Sequence, residues 1–292
     1  MTDVSIILIN YNTKDLTVQA INSIYEQTND LSYEIIVVDN NSQDGSVEAI
    51  KENFENVKVI VNKENLGFGT ANNIGIKQAS GKYIFCLNTD TLLLNNAIKI
   101  LYDFMEKHPN VACCGGNLYD KEHNHVFSHG IFLTPFAKFI KTFGLKYLFP
   151  KEVKRLKADY TNKLDEIKPV EFICGADLML RKSILDEVGT FNEQFFLYYE
   201  EVELQKRIKN ANYEIYIVPS AKIVHLESAS STNKLRKKSI FLKSEYIYLK
   251  NCYSHNFLDK IFIKMIYLIS LIPKLITGNK DIKNTYEYIL LN

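Results

Sequence analysis

The sequence lacks the cysteine spacing of a disulfide-stabilised or zinc-binding protein. Five cysteines occur among its 292 residues, and no two of them have the Cys-x-x-Cys spacing. Disulfide frameworks need paired cysteines, and structural zinc sites commonly use two cysteines at that close spacing. We therefore expect neither a disulfide framework nor a structural zinc site, and free thiols of this kind are typical of a reducing cytoplasm.

An excess of charge of either sign is also missing. The 35 basic and 34 acidic residues leave a formal net charge of +1. Dedicated nucleic-acid-binding domains usually carry a clear basic excess, so nucleic acid is not an expected partner. The balance still allows a local basic patch on an otherwise neutral surface.

No apolar run is long enough to cross a bilayer, which requires about 20 mainly apolar residues. The nearest approach, residues 257–276, is interrupted by three lysines and one proline, and it predicts an amphipathic helix on the surface. The first residues enter a strand-like run without the basic and apolar regions of a signal peptide, so we expect a cytoplasmic protein.

The sequence does contain a regular alternation of strand and helix patterns. Between residues 4 and 116, five apolar runs of strand length alternate with four segments of helical spacing. Continuously apolar strands separated by helices predict a mostly parallel sheet covered on both faces. Ligands of such sheets bind at the carboxyl ends of the strands. The polar residues Asn10, Asp39 and Asp90 end three of these runs, so we expect them to meet at one edge.

The remaining chain divides into three parts. Residues 117–168 are aromatic and basic, and they have three interpretations: a lid, a membrane-facing patch or part of the core. Residues 170–226 predict a strand and a helix, then a loop, an amphipathic helix and a further strand. From residue 232 onward the sequence is lysine-rich, helical in spacing and apolar on one side.

Two strand-end carboxylates are candidate ligand-binding groups. Asp90 follows Asn88, and oxygen ligands of this kind suit Mg²⁺ and Mn²⁺, which often bind through one or two carboxylates together with substrate phosphates. The alternative is that Asp90 caps a following helix. Asp39 either accepts a hydrogen bond from the imide N–H of a uracil or thymine base, or caps the turn that follows it.

Residues 65–75 contain Gly67-x-Gly69 between a predicted strand and a predicted helix, which is close to a dinucleotide-binding fingerprint. Asn72 occupies the third glycine position, so the close helix–strand packing of that fingerprint is missing. This departure disfavours a nicotinamide-dependent oxidoreductase. The backbone amides at this helix start still suit a phosphate or ribose, and an ordinary glycine turn is the alternative.

Three glutamates, Glu200, Glu201 and Glu203, crowd another predicted helix start. The helix macrodipole favours acidic residues there, but a carboxylate can also take the proton of an attacking hydroxyl. Arg207 lies four residues after Glu203 and is spaced to pair with it and fix the helix. His225, which follows a strand pattern, is either a metal ligand or a core histidine.

Taken in order, six sequence blocks resemble those of family 2 glycosyltransferases, closest to the bacterial rhamnosyltransferase-like branch. The blocks are VSIILINYN, EIIVVDNNSQDGS, NLGFGTANNIG, YIFCLNTD, ICGADLMLRKSILDEVGTFNEQFFLYYEEVELQKRI and VPSAKIVHL. The resemblance implies an α/β GT-A domain at residues 1–230, with an acceptor-side segment near 117–170, followed by a helical extension at 231–292. It also implies a nucleotide-sugar donor, a Mn²⁺ or Mg²⁺ ion and inversion at the anomeric carbon.

The resemblance also implies roles for particular residues on the donor side. Asp39 contacts the pyrimidine base, and Asp90 is the metal ligand of a motif that begins at Asn88, where the family often has an acid. His225 lies near the metal and the diphosphate. The further donor-side candidates are Asn10, Asn65, Gly67 and Asn72.

On the acceptor side, the resemblance makes Glu201 the catalytic base. Glu201 stands where the family usually has Asp, so its carboxylate lies one methylene further out, and Glu200 is the alternative base. Gly175 and Ala176 match a turn near the acceptor, and Glu203 is a further acceptor-side candidate.

The implied function is an inverting glycosyltransferase that uses a UDP-sugar or dTDP-rhamnose and a saccharide or lipid-linked acceptor in surface polysaccharide synthesis. The alternative is a nucleotide-sugar-binding module without catalysis. The lysine-rich tail predicts peripheral docking on anionic lipid at the inner face of the cell membrane. Its alternatives are a helix packed on the domain and a homodimer contact.

Overall fold

The computed structural model describes residues 2–158, 165–226, 234–275 and 279–292. The described strands are β1 (Val4–Asn10), β2 (Tyr33–Asp39), β3 (Val57–Val61), β4 (Tyr83–Asn88), β5 (Thr91–Leu93), β6 (Val111–Tyr119), β7 (His129–Gly130), β8 (Lys168–Pro169), β9 (Phe172–Ile173), β10 (Asp177–Arg181) and β11 (Glu214–His225). The helices are α1 (Lys14–Gln27), α2 (Ser46–Asn53), α3 (Phe68–Gln78), α4 (Ala97–Lys107), α5 (Pro135–Phe143), α6 (Pro150–Ala158), α7 (Lys182–Val188), α8 (Glu200–Asn210), α9 (Lys234–Tyr253), α10 (Phe257–Leu275) and α11 (Lys280–Leu291), with a 3₁₀ turn at Leu145–Tyr147.

Within these ranges, nine strands form one central sheet in the order β3-β2-β1-β4-β10-β6-β11-β5, with β8 beside β11. Strands β1 to β4 are parallel, β10 runs antiparallel between β4 and β6, and β11 is parallel to β6. The chain order reverses at β1, which has β2 on one side and β4 on the other. The carboxyl ends of these three strands therefore form one edge, as the polar strand ends predict.

The strands are buried because helices cover both faces of the sheet. Successive residues of a strand point to opposite faces. Ile6 and Leu8 accordingly join the apolar cluster under α1 and α4, whereas Ile7 joins the cluster under α3, α7 and α8. All three side chains are completely buried. The predicted mostly parallel sheet with helices on both faces is confirmed.

Two local predictions are wrong. Asp90 does not cap a helix, because residues 91–93 form β5 and pair with the end of β11, and α4 begins only at Ala97 with Asn96 as its N-cap. The strand predicted after residue 170 is divided, because the chain turns at residues 174–176 between β9 and β10. Pairing with distant strands decides both outcomes, and the local sequence does not contain that information.

Helices α9, α10 and α11 pack on the sheet domain through a third apolar cluster. It joins Phe172, Phe195 and Val202 of the domain to Tyr248 and Tyr267 of the C-terminal helices. None of the described helices is both long and apolar enough to cross a membrane. The predicted domain boundary at residues 230–231 lies outside the described residues.

An ion pair between α5 and α9 is nearly buried. The Lys138 Nζ lies 2.7 Å from Glu245 Oε2, and the two side chains are only 9% and 5% exposed. The same Nζ lies 4.5 Å from the centre of the Tyr267 ring on α10. This charge pair therefore connects the three helices α5, α9 and α10.

We predict that breaking this pair destabilises the protein strongly. Lys138→Met or Glu245→Gln alone leaves one buried charge without its partner, which costs about 3–5 kcal/mol. The double variant Lys138→Met/Glu245→Gln should cost clearly less than the sum of the single variants. Urea denaturation measures all three free energies of unfolding.

The matched control is Lys99→Met, because Lys99 pairs with Asp103 on the exposed face of α4. Such surface pairs contribute about 0.2–1 kcal/mol. A loss of stability in Lys138→Met no larger than in Lys99→Met would contradict the role assigned to the buried pair.

Candidate active site

A cavity of about 220 Å³ opens at the carboxyl edge of β1, β2 and β4. Four residues predicted from the sequence line it: Asn65, Gly67, Asn88 and Asp90. Lining residues that the sequence reasoning missed are Tyr11, Thr13, Asn40, Thr89 and Phe196. Tyr11, Asn40 and Thr89 are each next to a predicted residue in the sequence, so their proximity to a strand end could have identified them. Phe196 carried no such signal.

Asp39 and Asn10 lie beneath this cavity and are completely buried. The Asn10 Nδ2 donates to Asp39 Oδ1 at 2.6 Å, and the backbone N–H of Ser42 donates to Asp39 Oδ2 at 2.8 Å. The Asn10 Oδ1 accepts from the hydroxyls of Thr13 and Thr17. Asp39 thus caps the turn after β2, while its contact with a base stays a prediction.

The glycines at the start of α3 permit a close approach to the segment before α8. A Cβ on Gly67 would lie 2.2 Å from the carbonyl oxygen of Phe196, and the φ of Gly67 is +84°. A Cβ on Gly69 would lie 3.4 Å from the Cβ of Glu200. The two glycines therefore allow two segments that are distant in the sequence to pack closely together. This packing role explains why residues 67–69 resemble a dinucleotide-binding fingerprint although they do not bind a dinucleotide.

Several polar groups around this helix start are already hydrogen-bonded, although the buried Asn72 Oδ1 is not. The Gly67 N–H donates to Asn65 Oδ1 at 2.9 Å, and the Phe68 N–H donates to the carbonyl of Phe196 at 2.9 Å. Asn72 is completely buried, and its Nδ2 donates to the carbonyl of Phe68. Asn72 does not line the cavity, so its predicted contact with a donor stays untested.

Asp90 and His225 meet at the edge of the cavity. The His225 Nε2 lies 3.4 Å from Asp90 Oδ1, and the two side chains are 15% and 17% exposed. Pairing of β5 with β11 sets this proximity, because His225 is opposite Thr91 and the Leu226 N–H donates to the carbonyl of Asp90. The sequence predicted both residues near the metal, and the fold brings them together from positions 135 residues apart.

A carboxylate and an imidazole fit a divalent cation of the Mn²⁺ or Mg²⁺ type. Such ions usually take one or two protein ligands and complete their shell with water and phosphate oxygens. The described residues contain no cluster of three or more His, Cys, Asp or Glu side chains suited to a metal. The donor set at Asp90 and His225 is thus suited to a cation shared with a phosphorylated ligand.

The segment before α8 has an unusual backbone. Tyr198 and Tyr199 have φ values of +70° and +67°, in the left-handed region that bulky residues rarely adopt. The surrounding structure holds them there, since both rings lie against Phe241 of α9 and the Ser244 hydroxyl donates to the carbonyl of Leu197. Helix α9 therefore supports the loop that leads to Glu200 and Glu201.

Glu200 and Glu201 occupy different environments at the start of α8. Glu200 is 3% exposed and packs against Gly69, whereas Glu201 is half-buried and lies beside Gly175. Burial raises the pKa of both carboxyl groups, and the neighbouring Glu201 raises the pKa of Glu200 further. Backbone N–H groups of Val202 and Gly175 act in the opposite direction on the pKa of Glu201.

The turn at Gly175 and Ala176 connects the two sides of the site. The Asn88 N–H donates to the carbonyl of Ala176 at 3.0 Å, and Gly175 lies against the side chain of Glu201. The end of β4 and the start of α8 therefore meet at this turn. Contact of Gly175 and Ala176 with an acceptor stays a prediction.

Glu203 forms the predicted pair with Arg207. The Arg207 Nε donates to Glu203 Oε1 at 3.0 Å, and an Nη donates to Oε2 at 3.0 Å. The same guanidinium donates to the carbonyls of Val188, Gly189 and Thr190. Arg207 thus fixes α8 to the loop after α7 and Glu203 holds the guanidinium in place, while the predicted role of Glu203 toward an acceptor is untested.

The family model for "Glycosyl transferase family 2" matches residues 5–189. The chain belongs to glycosyl transferase family 2. It is 25% identical over 233 residues, 75% of each chain, to the N-acetylglucosaminyl-diphospho-decaprenol L-rhamnosyltransferase of Mycobacterium tuberculosis. It is 24% identical to the low-salt glycan biosynthesis hexosyltransferase Agl10 of Haloferax volcanii, over 83% of this chain and 73% of that protein.

Solved structures confirm the GT-A fold of this family member. GalNAc-T7, crystallised with UDP, GalNAc and Mn²⁺, superposes with a TM-score of 0.65 at 16% identity over 91% of the chain. Staphylococcus aureus TarS superposes with a TM-score of 0.56 at 15% identity over 92% of the chain. The chain spans about half the length of these two solved chains, 50% and 43%.

The predicted family and its rhamnosyltransferase-like branch are thereby confirmed, and the chain is a glycosyltransferase. The alternative of a nicotinamide-dependent oxidoreductase is wrong. Its sequence signal came from Gly67 and Gly69, which the structure uses for the packing described above.

We predict that Glu200→Gln stabilises the protein at alkaline pH. A group with a raised pKa favours the fold when protonated, and that contribution is lost as pH rises above the ordinary glutamate value toward the raised pKa. Glutamine keeps the shape and stays neutral. The melting temperature at pH 8 should rise by about 2 °C or more, since 1 kcal/mol corresponds to about 2–4 °C in a protein of this size.

The difference from the unmodified protein should shrink as pH falls toward 4, where Glu200 is protonated in both states. Thermal denaturation between pH 4 and pH 8 measures it. Glu203→Gln is the control, because loss of the pair with Arg207 should lower the melting temperature at neutral pH. A Glu200→Gln variant less stable than the unmodified protein at pH 8 would show that Glu200 is charged and paired in the fold.

Proposed function

We propose that this glycosyltransferase moves a sugar from a UDP-sugar or dTDP-rhamnose to a hydroxyl of a saccharide or lipid-linked acceptor, with inversion, in the synthesis of a surface polysaccharide. One observation carries the proposal: Asp90 with His225, and Glu201, lie on the two sides of the Gly175–Ala176 turn at the carboxyl edge of the sheet. The mycobacterial relative, by its name, transfers L-rhamnose to a diphospho-decaprenol-linked sugar, which supports this donor and acceptor class.

The cavity over β1, β2 and β4 is the proposed donor site. Tyr11 and Phe196 supply apolar walls, and Asn40 and Asn65 supply polar groups. A carboxylate has about four lone-pair positions, and Asp39 uses two of them toward Asn10 and Ser42. The imide N–H of a pyrimidine base is the proposed further donor to Asp39, after a shift of the side chains above it.

Asp90 and His225 are the residues that would hold Mn²⁺ or Mg²⁺, with Asn88 beside them. When bound, a divalent cation supplies positive charge to the departing diphosphate as a Lewis acid. Asp90, which lines the cavity, would contribute a carboxylate oxygen, and His225 beside it an imidazole nitrogen. Both side chains are largely shielded from water, and such shielding strengthens electrostatic interactions.

Glu201 is the proposed base. Its carboxylate takes the proton of the acceptor hydroxyl, whose oxygen bonds to the anomeric carbon while the bond from that carbon to the diphosphate oxygen breaks. Attack from the face opposite the leaving group inverts the configuration. Burial raises the pKa of Glu201, and a base whose pKa is nearer to the working pH accepts a proton more readily.

We predict that Asp90→Asn removes both donor binding and turnover. The amide is a neutral and weaker ligand, so the diphosphate loses the charge that balances it. Calorimetry with UDP and dTDP in the presence and absence of Mn²⁺ should register at least about tenfold weaker binding, because metal-site ligands typically contribute 10–100-fold or more. Asp103→Asn on the surface of α4 is the control, and it should bind as the unmodified protein does.

Nucleotide binding by Asp90→Asn that equals the unmodified protein, with or without the cation, would refute the donor site. The same titrations over a panel of nucleotide sugars identify the donor. Binding of a donor by the unmodified protein without sugar transfer or donor hydrolysis would favour the alternative of a binding module.

We predict that Glu201→Gln lowers kcat by about 10²–10⁴-fold, the usual contribution of a general base, and leaves the Kd for the donor nearly unchanged. Glu200→Gln has the same change of charge one residue away and should retain kcat within a few-fold. Transfer to acceptor, measured with a saturating donor, compares the two variants. The opposite pattern, with Glu200→Gln inactive and Glu201→Gln active, would make Glu200 the base.

We also propose that the acceptor is held at the cytoplasmic face of the membrane and that the protein associates there peripherally. The lysine-rich sequence from residue 232 onward and the lipid-linked acceptor named for the mycobacterial relative support this location. A homodimer contact through the same helices is the competing proposal.

A further inference from the structure

Helix α10 has apolar residues on two opposite faces. One face is buried in the C-terminal cluster through Ile263, Tyr267 and Leu271. The other face remains exposed, with side chains 37–73% accessible. Its residues are Leu258, Ile261, Phe262, Met265, Ile269 and Ile272.

These exposed residues recur at intervals of three, one, three, four and three, which is the spacing of a single stripe on an α-helix. The stripe runs along most of α10, and its positions include no charged residue. Lys260 and Lys264 lie outside it on the helix surface. An exposed helix face normally carries polar residues, so this face is adapted to a second apolar environment.

Helix α5 and the 3₁₀ turn extend the stripe sideways. The Phe139 ring on α5 lies 5.8 Å from the Phe262 ring on α10, centroid to centroid. The large exposed apolar residues of this part are Phe136, Phe143, Tyr147 and Leu148. We call these ten exposed residues, six on α10 and four on α5 and around the 3₁₀ turn, the α5–α10 surface. Single exposed apolar residues are ordinary, but a contiguous group of this kind marks an interaction site.

The segment that contains α5 and the 3₁₀ turn is basic. Residues 135–156 contain six basic residues and one acidic residue. Lys138 is buried in its pair with Glu245 and Arg155 pairs with Glu152, whereas four lysines are exposed. These are Lys141, Lys146, Lys151 and Lys154. Exposed lysines beside an apolar surface attract anionic lipid headgroups at about 1 kcal/mol each.

We propose that the α5–α10 surface is the membrane-binding face of the protein, with α10 lying in the plane of an anionic bilayer. A helix of this kind buries its apolar face at the boundary between headgroups and acyl chains, while lysines contact the headgroups. The inference deepens the proposed function, because it adds residues 136–148 to the C-terminal helices as the contact with the membrane that holds the acceptor.

The charge of the surface favours lipid over a second copy of the chain. A symmetric dimer places the same patch of each copy against the other. Such a dimer would bring together the exposed lysines of both copies, and like charges oppose association. An anionic bilayer instead offers opposite charge to the lysines and an apolar interior to the apolar side chains.

Contacts connect this surface to the active site. The pair between Lys138 and Glu245 joins α5 to α9. Helix α9 in turn holds Tyr198 and Tyr199, the residues before Glu200, through Phe241. A series of side-chain contacts therefore joins the proposed membrane-binding face to the loop that leads to the proposed base.

Vesicle flotation of the full chain tests the proposal without measuring sugar transfer, so its failure is separable from failure of the proposed function. The unmodified protein should float with vesicles of phosphatidylcholine and phosphatidylglycerol, and less with phosphatidylcholine alone. Leu258→Ser/Met265→Ser/Ile269→Ser should lower the partition coefficient at least tenfold. The matched control is Val61→Ser/Leu94→Ser/Ile167→Ser, which removes three exposed apolar side chains of the sheet domain and should float as the unmodified protein does.

A second pair of variants tests the electrostatic part of the proposal. The test variant is Lys141→Glu/Lys146→Glu/Lys151→Glu. Its control is Lys51→Glu/Lys77→Glu/Lys107→Glu, which reverses the charge of three exposed lysines of the sheet domain. Only the first set should lose flotation, by more than about tenfold, and added salt should weaken binding of the unmodified protein. Unchanged melting temperature and donor binding in each variant establish that the fold is intact.

Three results would overturn the proposal. One is absence of flotation with anionic vesicles by the unmodified protein. The second is equal flotation of the apolar triple variant. The third is a combined result: the unmodified protein sediments as a dimer, the apolar triple variant sediments as a monomer, and the two float equally well. That result would make this surface an interface between copies.

Discussion

The antiparallel pairing of β10 with β4 is the constraint on which the site depends. Because β10 runs opposite to β4, its first residues lie beside the carboxyl end of β4, and the Asn88 N–H bonds the Ala176 carbonyl. A parallel strand in this place would begin at the other edge of the sheet. The reversed strand therefore brings the Gly175–Ala176 turn, and with it Glu201, to the edge where Asp90 and His225 meet.

A second constraint is the close approach of α3 to the segment before α8. Gly67 and Gly69 leave no side chain between the two, and Phe196 caps the start of α3 with its carbonyl. The left-handed conformations of Tyr198 and Tyr199 are unfavourable for bulky residues by about 1–3 kcal/mol each. Packing against Phe241 and Tyr248 of α9 offsets that cost, so the C-terminal helices stabilise the geometry of the site.

Much of the sheet is readable from the sequence because its strands are apolar without interruption. Residues such as Ile6, Ile7 and Leu8 are buried on both faces, and that burial leaves a clear pattern. The i, i+4 spacing of Glu203 and Arg207 likewise predicted their pair. Both patterns involve residues that are close together in the sequence, so they can be recognised in a single sequence.

Other features depend on residues far apart in the chain and leave no such signal. Strand β5 has only three residues, and it forms because residues 223–225 lie beside it. The different burial of Glu200 and Glu201 is set by Gly69 and Gly175, which approach α8 from two sides. Phe196 enters the cavity only because α3 packs on its backbone. The sequence offers adjacent glutamates and isolated glycines, and tertiary packing decides what each contacts.

The two adjacent glutamates have a physical consequence for the proposed chemistry. Two carboxylates in a poorly solvated site resist simultaneous ionisation, so one of them tends to keep its proton. Glu200 is the more buried and Glu201 the more exposed, and burial raises the pKa of both. Burial and the neighbouring Glu201 raise the pKa of Glu200 and so favour its protonated form, whereas backbone N–H groups of Val202 and Gly175 favour the charged form of Glu201. As Glu201 takes a proton from an acceptor, one negative charge disappears from a region that solvates charge poorly, while the carboxylate of Glu203 stays paired with Arg207. Proton transfer to Glu201 is thus favoured by the same burial that favours the protonated form of Glu200.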